Sequence, residues 1–366
     1  MVGRLSGRSR TECPSRAKPM HLEFAVGCGR VGLESRGRRF GPTLIGVRDS
    51  EASDRAERRA VAAGNLRIDA ATAEVLGEFR AIGVEALLLK GPSIARWLYD
   101  GTRGYTDCDL WVRPGNGEAA ERVLRGLGYE KAVDKGGLPD WWQEHGSDWT
   151  RSADGVCVDL HRTLPGVGVD AESAWRTLSA TTETLEVACY PARALSLPAR
   201  ALHIALHAAH HGPAWGAVLA DLERACDRVD DTVWVQGAAL AEELAALDGF
   251  GAGLRLLPAG SALADRLDLP PNRSVEVALQ ARTTPPTALG FEQLRSARGP
   301  WARAKIVTRK LVPPPGFMRH WSPAAAQGRR QLVRAYFRRA LWLLRAAPRG
   351  WRAWREARRE VRAGRD

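Results

Sequence analysis

The sequence predicts an α+β protein: a mixed sheet flanked by helices, followed by an all-α C-terminal domain. Three observations carry that expectation. Short apolar runs alternate with helical stretches between residues 66 and 160. An Asp154-Gly155 pair, a strong hairpin signal, joins two runs of strand character. Around Pro191 and Pro198 the pattern changes, and Ala/Leu-rich helical stretches dominate from Ala199 onward.

With 366 residues, 45% of them hydrophobic, the chain can bury a substantial core and is long enough for two domains. Its net charge of +12 is unevenly spread. Residues 301–366 carry 18 Lys/Arg against 3 Asp/Glu, residues 1–60 carry 13 against 7, and the middle is left at −9. An acidic middle between basic ends argues against a uniformly basic nucleic-acid-binding body.

Residues 1–47 are rich in Gly, Ser and Arg and lack a sustained helical or strand period, so they are expected to be a disordered basic segment. Glu12, Glu23 and Glu34 count against a transit peptide, and the apolar patch 22–26 is too short for a secretory signal. A translation start further downstream is an alternative reading of this segment. The six cysteines include no C-x-x-C and suit a reducing compartment, so the expected location is cytoplasmic. No apolar run approaches the ~18 residues of a membrane span, so no integral membrane segment is expected.

In chain order, helices are expected over 51–63 and 66–82, the second with Leu76, Phe79 and Ile82 at helical spacing. A strand over 85–89 runs into Gly91 and a helix over 93–98. The run Asp107-Cys108-Asp109-Leu110-Trp111-Val112 is a strand, residues 115–127 a helix and 129–133 a further strand. Trp149-Thr150-Arg151 and Val156-Cys157-Val158-Asp159-Leu160-His161 are the two arms of the hairpin. The resulting divisions are a catalytic domain over 48–192, a helical domain over 193–300 and a basic helical tail over 301–366.

The chemistry lies in the acids. Side chains alternate along a strand, so Asp107 and Asp109 point the same way while Cys108 and Leu110 point the other. Two carboxylates in one small volume repel each other unless a cation neutralises them. A neighbouring strand bearing Asp159 would add a third acid, and three such groups can hold two divalent ions ~3.5–4 Å apart. The strand–Gly91–helix turn leaves backbone N–H groups free to face a polyphosphate, with Lys90 and Arg103 as the nearest cations. It is not a P-loop, because the Gly-x-x-x-x-Gly-Lys-Ser/Thr spacing is absent.

This order of motifs resembles the uncharacterised nucleotidyltransferase family of the polymerase-β-like superfamily. The residues that carry the resemblance are Leu88-Leu89-Lys90-Gly91, Tyr99, Arg103, Asp107 to Val112 and Val158-Asp159-Leu160-His161, continuing through 201–207, His210-His211 and 219–222. The resemblance implies a polymerase-β-like nucleotidyltransferase sheet, with Asp107 and Asp109 shared by two Mg²⁺ (or Mn²⁺) ions. It further implies Asp159 as ligand of the catalytic metal, helping to activate the acceptor, and Lys90, Gly91, Ser93 and Arg103 as nucleotide-binding residues. The superfamily's Gly-Ser pair is here Gly91-Pro92-Ser93, and Pro92 removes one N–H from the phosphate cradle.

His203, His207, His210 and His211 fall within a ~100° arc of one helix. They suit packing between the helical domain and the sheet, with His161, His207, His211 and Asp221 as candidate cleft residues. Zinc ligation is the competing reading, but the helix lacks the His-Glu-x-x-His pattern. Trp141, Trp142 and Trp149, between the acidic motifs, are candidate anchors or base-stacking residues, with Asp140 and Glu144 nearby. Residues 329–345 form a cationic helix with an apolar component, expected to break at Pro348-Arg349-Gly350. It would pack on the acidic catalytic domain, bind an anionic membrane surface, or hold RNA or DNA phosphates.

The expected function is Mg²⁺-dependent transfer of a nucleoside monophosphate from an NTP to an unidentified hydroxyl or similar acceptor, with release of pyrophosphate. The alternative is a catalytically weak nucleotide- or nucleic-acid-binding partner protein that uses the basic tail.

Overall fold

A computed structural model of the chain describes residues 46–131, 145–282 and 284–364. The expectations for residues 1–45, Asp140, Trp141, Trp142 and Glu144 lie outside the described residues.

Seven strands form one mixed sheet: β1 (Ala86–Leu88), β2 (Asp107–Val112), β3 (Tyr129–Lys131), β4 (Gly146–Arg151), β5 (Val156–His161), β6 (Thr182–Val187) and β7 (Tyr190–Leu195). Their spatial order is β3-β4-β5-β2-β1-β7-β6, with β2/β5 and β1/β7 parallel and the other pairs antiparallel. The Asp154-Gly155 hairpin forms as expected: Arg151 pairs with Val156, Gly155 takes a positive φ of 69°, and Asp154 accepts hydrogen bonds from Arg151 and the Val156 N–H.

Four helices accompany the sheet: α1 (Gly46–Ala81), α2 (Pro92–Tyr99), α3 (Gly117–Gly126) and α4 (Ala171–Ala180). The two helices expected over 51–82 are one continuous helix, α1. The amide of Asn65, just past the Gly64 position where a break was expected, donates to the Arg103 carbonyl and accepts from the Tyr105 N–H. Beyond it Ile68, Ala71, Thr72, Val75, Leu76 and Phe79 recur at helical spacing and are buried.

Alternation divides the sheet's two faces. Cys108, Leu110, Val112, Trp149, Val158 and Leu160 pack into one apolar cluster with the buried faces of α1 and α3. Leu87, Leu89 and Trp111 point the other way, into a second cluster built with α2, α4 and the helices that follow the sheet. Those helices are α5 (Leu197–His211), α6 (Gly216–Arg228), α7 (Asp231–Glu243), α8 (Leu247–Leu254) and α9 (Pro258–Arg266). β7 runs through residue 192 to Leu195, so the sheet extends past the expected division and shares one core with α5 to α9.

The rest of the chain forms α10 (Val275–Gln280), α11 (Pro286–Ser296), α12 (Pro300–Leu311), α13 (Pro315–Trp321) and α14 (Arg329–Ala363). These helices build two small clusters of their own. One joins Ala278, Leu279 and Ala288 to Trp354, Ala357 and Val361, and the other joins Phe317, Met318 and Ala325 to Ala335. α14 therefore packs on α10, α11 and α13. The break expected at Pro348 does not occur. Gly350 lets α11 press against α14, where a β-carbon would lie 2.1 Å from Thr287 Oγ1, and Thr287 donates to the Ala346 carbonyl. Pro348 withholds an N–H from the Leu344 carbonyl, yet the helix runs on past it with α11 packed alongside.

Within the shared core α8 presses closely against α5. A β-carbon on Gly253 would lie 1.9 Å from the Ala205 carbonyl oxygen. Gly253→Ala is expected to destabilise the protein by about 2–3 kcal/mol through overpacking, or to prevent folding. Chemical denaturation monitored by tryptophan fluorescence tests this.

Candidate active site

The site lies on the sheet face turned toward α5. Because β2 and β5 run parallel with Asp109 opposite Asp159, the strand period places Asp107, Asp109, Asp159 and His161 on that face. The hairpin adds one more group: Asp148 on β4 is paired directly with Asp159, so Asp148, Asp159 and Asp109 form a row across three strands. Asp148 was missed in reading the sequence. Its signal was the Asp-Gly turn itself, because counting outward from Arg151 opposite Val156 sets Asp148 against Asp159.

Two cations sit among these acids. Lys90, just past β1, places its Nζ 2.7 Å from Asp109 Oδ1. His161 Nε2 lies 3.2 Å from the same oxygen and 3.0 Å from Asp159 Oδ2, bridging the two carboxylates. Ligand atoms of Asp109, Asp159 and His161 all fall within 4.8 Å of one another, a grouping able to hold a metal ion. Asp107, two residues along β2, is outside that grouping but feels the charges of Asp109 and Asp159.

The titration behaviour follows from this placement. Burial opposes ionising Asp109, yet Lys90 and His161 hold its carboxyl well below the usual range. Burial likewise opposes charging His161, but Asp159 and Asp109 raise it to about 9, so it is an imidazolium at neutral pH. Asp107 is pushed up to about 6 by burial and by Asp109. Asp148 is pushed up to about 7 by burial and by Asp159. Four carboxylates thus face two cations, and the two acids without an ion-pair partner among the described residues are the two pushed upward.

The wall opposite the sheet is the histidine stripe of α5. Lys90 Nζ donates to His207 Nε2 at 3.4 Å, so one ammonium touches both the acids and the helix. The His203 and His207 rings stack with centroids 5.8 Å apart, and His211 meets His207 at 4.4 Å and Trp215 at 4.8 Å. Burial drives these imidazoles toward the neutral form, to about 3 for His203 and His210 and about 4 for His211, with Lys90 adding to the effect. Among the described residues the stripe forms no grouping fit for a metal by itself. His145, also missed from the sequence, packs its ring 5.7 Å from His210 and shares a hydrogen bond with Thr163. Both line a cavity of ≈ 390 Å³ with Leu164, Val167, Val169, Ala171 and Ala174.

The other expected site residues take different positions. Gly91 caps α2 with φ 61°, the left-handed conformation that glycine accepts readily. Ser93 is fully buried, its hydroxyl donates to the Leu89 carbonyl at 3.0 Å, and its N–H lies 3.4 Å from the Lys90 carbonyl. With Pro92 lacking an N–H, Lys90 is the member of this segment that reaches the acids. Arg103 grips Asp221 of α6 with two hydrogen bonds, Nε to Oδ1 at 2.8 Å and Nη2 to Oδ2 at 2.7 Å, and the Tyr99 hydroxyl donates to the same carboxylate. Arg103 and Asp221 therefore join the strand-bearing part of the chain to the helices.

The model of a family described as uncharacterised nucleotidyltransferase matches residues 51–259, which span every residue of this site. Among solved structures, the chain is similar to the antibiotic-resistance factor ANT(2'')-Ia, at 17% identity over 48% of this chain and 91% of that one, with a TM-score of 0.34. It is also similar to the lincosamide antibiotic adenylyltransferase LnuA, solved with lincomycin bound, at 14% identity over 41% and 91%, TM-score 0.29. A third is an antigenic nucleotidyltransferase-like protein from Paracoccidioides brasiliensis, at 13% identity over 49% and 92%, TM-score 0.31. No curated protein matches the chain.

The Arg103–Asp221 pair is mostly shielded, with side chains 23% and 11% exposed. A double-mutant cycle on Arg103→Ala and Asp221→Ala is expected to give a coupling of about 2–3 kcal/mol in unfolding free energy. A coupling below about 0.5 kcal/mol would mean the pair does not hold the two parts together.

Proposed function

The chain belongs to the uncharacterised nucleotidyltransferase family, and from that premise we propose that it transfers a nucleoside monophosphate from an NTP to a hydroxyl or similar acceptor. The observation that supports this reading most is the row of carboxylates across β4, β5 and β2, which carries more negative charge than Lys90 and His161 neutralise.

That surplus, and the oxygen-rich donor set, fit a hard divalent cation such as Mg²⁺ or Mn²⁺. Asp107, Asp109 and Asp159 would hold it, with His161 beside them. When bound, such an ion supplies charge neutralisation for the phosphoryl oxygens in flight.

The chain's own side chains supply the rest. Lys90, paired with Asp109, would exchange that carboxylate for a phosphate oxygen of the nucleotide. His161 lies between Asp109 and Asp159, and its charge helps to hold the Asp109 carboxyl below the usual range. Asp159 would help to activate the acceptor hydroxyl. The acceptor oxygen forms a bond to the α-phosphorus, the bond to pyrophosphate breaks, and the hydroxyl proton passes to a carboxylate or to water. The cavity at the end of β5, bordered by His145 and Thr163 and otherwise apolar, suits an uncharged part of the acceptor.

Two measurements test this reading. Purified protein with α-labelled NTP and cell extract should yield a labelled acceptor together with pyrophosphate, and Asp109→Asn should lower turnover by at least ~10³-fold. Full turnover in that variant would refute the assignment. Cation binding should also release protons, because Asp107 at about 6 and Asp148 at about 7 are partly protonated near neutrality and a bound cation favours their ionised forms. Mn²⁺ affinity is therefore expected to rise as pH rises through that window. Calorimetry in buffers of different ionisation enthalpy should detect the released protons, fewer of them in Asp148→Asn.

A further inference from the structure

The C-terminal helix α14 carries a face that the fold leaves uncovered. Val333, Phe337, Leu341 and Leu344 are 53%, 73%, 47% and 72% exposed. At 100° per residue these four fall within an arc of about 80°, one continuous stripe. It points away from the side that holds the helix to its neighbours, where Ala335, Arg339, Gly350 and Trp354 are buried. Scattered apolar residues on a surface need no explanation, but a large continuous stripe marks a contact surface.

Its surroundings say what kind. Between Arg329 and Gly350 the sequence contains no Asp or Glu. Arg330, Arg334, Arg338 and Arg345 are exposed, lie along the stripe and its flank, and have no ion-pair partner among the described residues. The main contacts of α14 are with α10, α11, α12, α13 and the turn at Pro323–Gln327, none of which belongs to the acidic sheet region. The expectation that the tail packs on the acidic catalytic region therefore finds no support in the packing.

We propose that α14 docks this protein on an anionic lipid surface, with Phe337, Leu341 and Leu344 entering the headgroup boundary and the flanking arginines meeting lipid phosphates and carboxylates. An apolar stripe beside a row of cations is the pattern of a helix lying in a membrane interface. RNA or DNA would engage the arginines and leave the stripe in water. A second copy of the chain would bring two arginine rows together. No described helix is long and apolar enough to cross a membrane, so the contact is with the surface.

Co-sedimentation of the full chain with vesicles tests the proposal at about 0.1 M salt, where screening leaves such contacts intact. Binding is expected to vesicles of phosphatidylcholine with phosphatidylserine and to be at least ~10-fold weaker to phosphatidylcholine alone. Phe337→Glu combined with Leu344→Glu should cut binding by ~10-fold or more with an unchanged melting temperature, since both side chains are exposed. Arg334→Glu with Arg338→Glu should weaken binding and flatten its salt dependence. Absence of binding to the anionic vesicles would overturn the proposal, as would binding indifferent to Phe337 and Leu344. Tight binding of a homopolymeric RNA that needs the arginines and ignores the apolar pair, without vesicle binding, would assign the surface to nucleic acid instead. Self-association in ultracentrifugation that Phe337→Glu abolishes, without vesicle binding, would assign it to a second copy.

Discussion

The parallel pairing of β2 with β5 is the constraint on which the rest of the site depends. Asp109 opposite Asp159 is one of five paired positions along the two strands, and the same register sets Trp111 against His161. A shift of one residue would turn the acids into the apolar cluster beneath the sheet and bring Cys108 and Leu110 up to the cleft. The buried Val158, Leu160, Cys108 and Leu110 resist that shift, because each would surface in turn. Apolar packing on one face thus holds charges together on the other. The repulsion so created is met by Lys90 and His161, each drawn from a different strand end.

Much of this was legible in the sequence, and the reasons differ from element to element. Asp107, Asp109 and Asp159 could be placed on one face because strand periodicity and an Asp-Gly turn act over a few residues. Asp148 was legible in principle by the same turn and was passed over because the arm of the hairpin was read only from Trp149. Gly64 looked like a helix break, but tertiary hydrogen bonds through Asn65 override a single glycine. Pro348 looks like a stop, yet α14 continues through it and packs closely on α11 at Gly350. Proximity to the acids in sequence and the family resemblance make Arg103 a candidate for the nucleotide, and the structure adds its pairing with the helices. Its partner Asp221 lies more than a hundred residues away, and no local pattern announces such a pair.

The chain divides its labour unequally between two helical regions. α5 to α9 are continuous with the core under the site, and α5 supplies the neutral imidazole wall. Neutrality there is a consequence of burial beside an ammonium, so the wall offers aromatic faces and nitrogen lone pairs but little charge. α10 to α14 instead form clusters of a few side chains each, and carry most of the exposed large apolar side chains among the described residues of the C-terminal half. A region with so small a core of its own is poorly suited to position reacting groups and well suited to present a surface.

The core shared between the sheet and α5 has a bearing on how the cleft admits its substrates. Floor and wall are packed as one body, stapled further by Arg103, Tyr99 and Asp221, so neither can swing without exposing Leu202, Ile204, Leu206 and their partners to water. Rearrangement is then left to side chains. Lys90 stands between floor and wall, in contact with Asp109 on one side and His207 on the other. In a cleft framed in this way Lys90 is the cation that ties floor to wall, and its loss would remove the one partner that Asp109 and His207 share among the described residues.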